Sequence, residues 1–302
     1  MYTDNMANIH VVCGGDSSER DVSLRSGSAV AEALRSEGHN VTVLDTSDSD
    51  EAICSCDVVF PVLHGVGGED GQLQARLEQN RTKFVGSGSV ASQLCMDKAS
   101  YREKMSNAGF LIARGATVTW DGYRENVLSR APHVVKPIDG GSTIDTYIVR
   151  DVTQMDGNRI ADYFSRHEKM ILEELISGDE ITVGVLGKKA LPIIEIIPPQ
   201  NEEFDYENKY NGKTQELCPP QHVAEHIQHK AQELTVAIHL AAGCRDFSRT
   251  DFIITPDEKY YLLETNTIPG MTGQSLYPKM AATEGIAFSE LCDRLVQMAL
   301  SR

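Results

Sequence analysis

Residues 251–272 read DFIITPDEKYYLLETNTIPGMT. Two apolar runs, Phe252–Ile254 and Tyr260–Leu263, flank Thr255-Pro256-Asp257-Glu258-Lys259, where a proline initiates a turn between β-prone segments. A hairpin centred near Asp257 pairs Ile254 with Tyr261 and sets Asp251 opposite Glu264. Asn266 lies two residues beyond Glu264, so strand alternation puts both on one face. Two adjacent carboxylates repel, and one must take up a proton unless a cation sits between them. Two carboxylates and an amide oxygen suit a hard divalent ion such as Mg²⁺, which fills its other positions with water or phosphate. The bland alternative is that these residues mark exposed strand ends.

Outside this hairpin the chain reads as an ordinary globular protein. It has 302 residues, is 41% hydrophobic and 24% charged, and has length for two or three modules. No apolar run is long enough for a membrane span, and the start, MYTDNMANIHVVCGG, enters a strand almost at once, so the expected location is cytoplasmic, with no membrane partner. A net charge of −16 without a dense Lys/Arg tract argues against nucleic acid as a partner. An acidic protein can still bind an anionic nucleotide if local lysines and metal supply positive charge. Seven scattered cysteines, with no framework spacing, fit reduced thiols. Cys54-Ser-Cys56 is not a usual zinc or redox spacing.

Toward the N-terminus, strand and helix alternate. NIHVVCGG is an apolar strand, residues 23–37 carry apolar side chains at helical spacing up to Gly38, and NVTVLDT and DVVFPVLHG are further strands before the helix-like DGQLQARLEQN. This is βαβ logic and predicts a parallel sheet. Residues 87–97 read as a connecting helix, followed by the helix KASYREKMSNAG and strands at ATVTW, HVVKP, TYIVR, EITVGVLG and ALPIIEIIP. Residues 200–220 are polar and turn-rich, a long loop of the kind that is functional or disordered. HVAEHIQHKAQELTVAIHLAAG is a helix ending at Gly243, and SELCDRLVQMAL is the last.

Four basic residues, Lys98, Lys136, Lys209 and Arg249, are candidates for a triphosphate clamp, with a solvated reading open for each. The glycine turn DGGST (139–143) follows Lys136, and its backbone N–H groups can approach phosphate oxygens. It is not a G-x-x-x-x-G-K-[ST] loop. GGDSSERDVSL (14–24) lacks the G-x-G-x-x-G of a dinucleotide site. His222, Glu225, His226 and His229 share a helical face, where a solvated surface is favoured over zinc. HGVGGEDG (64–71) is a flexible turn from which His64 reaches a ligand or caps the turn.

Six of these stretches, GGDSSERDVSL, LHGVGGEDGQLQ, GSGSVASQLCMDK, VVKP…GGST, FDYENKY and LLETNTIPGMTGQSL, stand in the order found in D-alanine–D-alanine ligases of the ATP-grasp superfamily. The resemblance runs from Val11 to about Leu295. It implies an α/β and α+β protein: an N-terminal Rossmann-like (preATP-grasp) parallel-sheet domain, residues 1–88, followed by a two-domain ATP-grasp fold. That fold divides into a central domain, 89–176, and a C-terminal catalytic domain, 177–302, with a mobile loop at 200–220 and the nucleotide between the two.

The resemblance implies roles as well. Lys98 and Lys136 would contact ATP phosphates, with Lys209 also on the nucleotide, Glu173 and the adjoining backbone at the adenine, and Glu180 at the ribose. Asp251, Glu264 and Asn266 would hold two Mg²⁺ ions, for which Mn²⁺ can substitute. Glu19 would pair with the ammonium of the first D-alanine and link to Ser142 and Tyr210, and His64 would lie nearby. Arg249 and the Gly270 region would stabilise the oxyanion, and Ser275 with the Leu276 backbone would grip the second D-alanine. A homodimer is also implied, and Tyr210 implies D-alanine rather than D-lactate as acceptor.

Two departures stand out. Asp145 replaces the last glycine of the family's Gly-Ser-Ser-x-Gly, and a carboxylate aimed at a triphosphate would be repulsive. The loop after Tyr210 is also about a residue short. Two rival readings follow: an ATP-grasp ligase with another amino or hydroxy acid acceptor, and a non-catalytic nucleotide-binding regulator.

Overall fold

A computed structural model describes residues 6–139, 145–199 and 214–302. The first strand, β1 (Asn8–Cys13), is apolar and buried after its first residue, as a strand covered on both faces must be. It is the centre of a three-stranded parallel sheet, between β2 (Asn40–Asp45) and β3 (Val58–Pro61). Helix α1 (Arg20–Ser36) begins three residues earlier than its apolar spacing predicts, directly after Glu19, with Asp21 in its first turn where the helix dipole favours an anion. Short α2 (Asp50–Cys54) and α3 (Gln72–Gln79) complete this part.

Helices α4 (Ser89–Met96) and α5 (Lys98–Asn107) lead into a four-stranded antiparallel sheet ordered β4-β7-β5-β6. Its strands are β4 (Gly115–Val118), β5 (His133–Pro137), β6 (Tyr147–Val149) and β7 (Met170–Glu174). Helices α6 (Trp120–Glu125) and α7 (Gly157–Arg166) pack Tyr123, Ile160 and Phe164 onto one face. The next sheet has five strands in the order β10-β9-β8-β11-β12. They are β8 (Asp179–Leu186), β9 (Lys189–Ile197), β10 (Gln215–Leu217), β11 (Phe247–Ile254) and β12 (Tyr260–Asn266). Tyr101 and Met105 of α5, with the helix Glu225–Ala242, close one core over this sheet. Another core joins β1 and α1 to the last helix, Phe288–Leu300, so the end of the chain packs against its first sheet.

Three local expectations are corrected. Ile254 pairs with Tyr260, not Tyr261, yet Asp251 does pair with Glu264. The register shifts by one between them because Leu263 is an extra residue on β12, a bulge that alternation alone cannot reveal. His222 lies before the helix that starts at Glu225 and is held by the buried carboxylate of Glu195, 2.9 Å from its Nδ1, so it leaves the face carrying His226 and His229. Part of the expected 200–220 loop is strand: Gln215–Leu217 pairs antiparallel with β9. All seven cysteines are free, and among the described residues no helix is long and apolar enough to cross a membrane.

Candidate active site

The four-stranded and five-stranded sheets face each other across a cleft of about 510 Å³. On one wall β5 contributes Val134 and Lys136, β7 contributes Glu173, and β6 contributes Ile148, flanked by Thr146 before the strand and Arg150 after it. On the other stand Glu180 of β8, Asp251 and Ile253 of β11, and Leu263 and Glu264 of β12. The alternation of β11 explains this division: Ser248, Thr250, Phe252 and Ile254 are buried beneath the sheet, and Arg249, Asp251 and Ile253 are turned the other way.

The Asp251 carboxylate is held from its own strand and from the neighbouring β8. Arg249 Nε and Nη2 donate to Asp251 Oδ1 and Oδ2 at 3.0 and 2.9 Å, and Thr182 Oγ1 donates to the same carboxylate at 2.5 Å. Burial opposes the charge of Arg249, but Asp251, Glu264 and Glu69 outweigh it and raise the guanidinium above its ordinary pKa. Asn266 pairs with Arg249 in the register, and its Oδ1 accepts the Ile268 N–H at 2.8 Å. Among the described residues no group of three or more His, Cys, Asp or Glu side chains could hold a metal ion. Two carboxylates and an amide oxygen are nonetheless the donor set of a hard cation that takes its remaining ligands from phosphate and water.

Lys98 opens α5, with its backbone N–H on the Ile138 carbonyl at 2.8 Å. Burial lowers its pKa, with Glu264 pulling upward and Lys136 downward. Lys136 Nζ lies 2.5 Å from Glu173 Oε1, and Arg102 Nη1 donates to the other carboxylate oxygen. The Glu173 side chain is thus engaged by two cations, although the resemblance directs it to adenine.

Glu19 is buried at the start of α1, its N–H on Ser17 Oγ at 3.2 Å, and Ser17 Oγ donates to the His64 carbonyl at 2.7 Å. Burial lowers the pKa of His64 against the pull of Glu19, with Arg249 adding to the lowering, and its buried Nε2 has no hydrogen-bond partner among the described residues. Glu69 accepts the Gly65 N–H at 2.7 Å, and burial, with Glu19 and Glu264 nearby, pushes its pKa up to about 8. Ser275 Oγ accepts the Thr272 N–H at 3.1 Å and stands 2.8 Å from where a Cβ on Gly270 would lie. Leu276 is the first residue of the helix Leu276–Thr283, whose free N–H groups suit a carboxylate.

Asp145 adopts a left-handed backbone with φ of 55°, and Arg166 Nη1 donates to both its carboxylate oxygens at 2.7 Å. His167 Nε2 lies 2.8 Å from Oδ2. Burial works against this charge, but the His167 and Arg166 hydrogen bonds hold the carboxyl below its usual range. The side chain therefore faces the end of α7. Ser142, Lys209 and Tyr210 lie outside the described residues. Arg102, Glu69 and Thr182 were not singled out by sequence; the one available signal was Arg102 standing one helical turn after Lys98.

Lysines at one wall and paired carboxylates at the other are the charges that a triphosphate with its metal ion would need from two sheets, an arrangement that resembles the ATP-grasp class of ATP-dependent ligases. The family description "D-ala D-ala ligase C-terminus" matches residues 120–297, and "D-ala D-ala ligase N-terminus" matches residues 38–87. The D-alanine–D-alanine ligase of Gluconobacter oxydans is 38% identical over 302 residues, covering 97% of this chain and 99% of that one. The crystal structure of the Bacillus anthracis D-alanine–D-alanine ligase complexed with ATP is 26% identical, covers 98% of this chain and 97% of that one, and has a TM-score of 0.81. The VanG D-Ala:D-Ser ligase of Enterococcus faecalis is 28% identical, covering 98% of this chain and 100% of that one, with a TM-score of 0.82. The chain belongs to the D-alanine–D-alanine ligase family, and it is an ATP-dependent ligase.

Proposed function

We propose that this enzyme joins two D-alanines into D-alanyl-D-alanine through an acyl phosphate, as a step in making peptidoglycan precursor. The observation that carries the reading is the pairing of Asp251 with Glu264 at a cleft that also receives Lys98 and Lys136. On this reading Lys98 and Lys136 neutralise the phosphates, with Lys209 beside them, and Glu180 and the backbone after Glu173 take the ribose and adenine. Asp251, Glu264 and Asn266 would hold Mg²⁺, which when bound neutralises charge on the transferring phosphoryl group.

A carboxylate is a poor electrophile, and its phosphorylation by ATP creates a leaving group. Glu19 would anchor the ammonium of the first D-alanine, with Ser142 and Tyr210 linked to it and neutral His64 alongside. The amine of the second D-alanine, its carboxylate held by Ser275 and the Leu276 N–H, attacks the acyl carbon. Arg249 and the Gly270 backbone stabilise the resulting oxyanion, and phosphate departs. The three-part division at 88 and 176, a homodimer and a cytoplasmic location belong to the same proposal. The regulator alternative rested on Asp145, which pairs with Arg166 and His167.

The test is phosphate release from ATP and Mg²⁺ with D-alanine, D-serine, D-lactate and L-alanine, and mass spectrometry of the product. Release dependent on D-alanine with formation of the dipeptide is expected. Release only with another acceptor would move the substrate assignment, and release with none would overturn the activity. Glu264→Gln is expected to abolish turnover in a folded protein, and full activity there would remove the metal assignment.

A further inference from the structure

We propose that Arg102 is a positioning residue for nucleotide binding: it acts through Glu173 to set Lys136, and it does not touch the nucleotide itself. The proposal rests on the assignment of Lys136 to ATP made above.

Glu173 is 5% exposed, and its carboxylate bridges two cations, Arg102 on one oxygen and Lys136 on the other. If Lys136 turns toward a triphosphate, Glu173 loses one of its two partners. A buried carboxylate left without a cation is costly, so a second, permanent cation is required for Lys136 to be released. Arg102 is built to be that cation. Its Nη2 donates to the Ala113 carbonyl at 2.7 Å, which fixes the plane of the guanidinium while Nη1 holds Glu173. The space for it exists because residue 115 is glycine: a Cβ there would stand 2.9 Å from Arg102 Nη2 and 2.9 Å from Glu173 Cβ.

The helix that carries Arg102 also reaches the opposite wall. Tyr101 OH shares a hydrogen bond of 2.6 Å with Thr265 Oγ1, which in turn is 2.9 Å from Thr250 Oγ1. Thr265 lies between Glu264 and Asn266, and Thr250 between Arg249 and Asp251. One turn of α5 therefore places Lys98 at the cleft, fastens Tyr101 to the carboxylate hairpin and fastens Arg102 to the facing sheet. Removing Arg102 leaves Lys136 as the sole counter-ion of Glu173 among the described residues and holds it back from phosphate.

The experiment uses the full chain. Affinity for a non-hydrolysable ATP analogue with Mg²⁺ is measured by calorimetry, with KM for ATP, KM for D-alanine and kcat alongside, in wild type, Arg102→Gln, Arg102→Lys, Lys136→Gln and the double variant Arg102→Gln/Lys136→Gln. Arg102→Gln is expected to weaken the analogue and raise KM for ATP by roughly ten- to a hundredfold, with kcat and KM for D-alanine within about threefold. Arg102→Lys keeps the charge but cannot serve Glu173 and the Ala113 carbonyl as a planar fork, so its affinity should fall between the two. Because Arg102 acts through Lys136, the double variant should bind no more weakly than Lys136→Gln. Unchanged affinity in Arg102→Gln, an equal loss across all four quantities, or additive losses in the double variant would overturn the proposal. Should the glutamine variant fail to fold, Arg102→Lys decides: affinity equal to wild type overturns it. A wild-type protein that binds the analogue but makes no dipeptide would sink the functional reading alone, and the calorimetric comparison would still decide the role of Arg102.

Discussion

Arg249 and Asp251 stand two residues apart on β11, and the guanidinium of the first covers both oxygens of the second at 3.0 and 2.9 Å. The carboxylate assigned to metal is thus already neutralised, by the residue assigned to the oxyanion. On that proposed assignment, metal and guanidinium would compete for one anion. Arg249→Ala should therefore bind Mn²⁺ more tightly than wild type in the absence of nucleotide, by titration calorimetry. If Arg249 is the proposed donor to the oxyanion, turnover should also fall by about a hundredfold or more. Weaker metal binding in the variant would show that Arg249 supports the site and does not compete with it.

Glu69 gives the protein a pH dependence of definite sign. Its carboxyl sits at about 8 in the folded chain, against an ordinary value of 4.5. Between those values the folded state keeps a proton that the unfolded state releases. This contribution to stability is present below the ordinary value and is lost as pH rises toward 8, with a slope of up to about 1.4 kcal/mol per pH unit. Glu69→Gln mimics the protonated form and can still accept the Gly65 N–H. Urea unfolding of the metal-free protein at pH 5, 6.5 and 8 should show a flatter profile for the variant. Parallel profiles would mean that Glu69 titrates normally.

The hairpin was readable because Pro256 and the alternation of apolar and polar residues act over a few residues. Both also set the carboxylates face to face. The pairing nearest the turn was off by one because a bulge at Leu263 is invisible to a period of two. The parallel sheet followed from β1 and β3, apolar runs with helical spacing between. Gln215–Leu217 escaped because an edge strand at the margin of a polar segment carries no apolar signature. Arg102 and Glu69 escaped for another reason: a lone arginine or glutamate on a helix or turn looks solvated until its partner is known, and Glu173 lies 71 residues from Arg102. Contacts of that separation are a property of the packed chain.

Gly178 tests how tightly the second wall of the cleft is built. It joins β7 to β8, and a Cβ there would stand 2.2 Å from the Ile254 carbonyl oxygen and 2.9 Å from Ile253 Cγ2. A backbone oxygen cannot rotate aside as a side chain can. Gly178→Ala is expected to cost about 1–3 kcal/mol in urea unfolding, as overpacking does. It should also raise KM for ATP, because Ile253 lines the cleft. Wild-type stability and KM would show that the turn has room the static geometry does not reveal.

Asp145 separates charge from backbone strain. Its φ of 55° costs a non-glycine residue about 1 kcal/mol, and its half-exposed pairing with Arg166 returns an amount of the same order. Asp145→Gly removes both effects and should leave the urea midpoint within about 0.5 kcal/mol of wild type. Asp145→Ala keeps the strain and loses the pairing, and should cost about 1 kcal/mol. The pairing itself should fade under acid conditions: the carboxyl is held below its usual range, so its contribution is present above the ordinary value and is lost as pH falls through the lowered one. Because the carboxylate faces Arg166 and His167, both variants should keep KM for ATP within about threefold of wild type. A marked drop in KM for Asp145→Gly would mean instead that the carboxylate is felt by the triphosphate, and that the family glycine is absent here at a cost to nucleotide affinity.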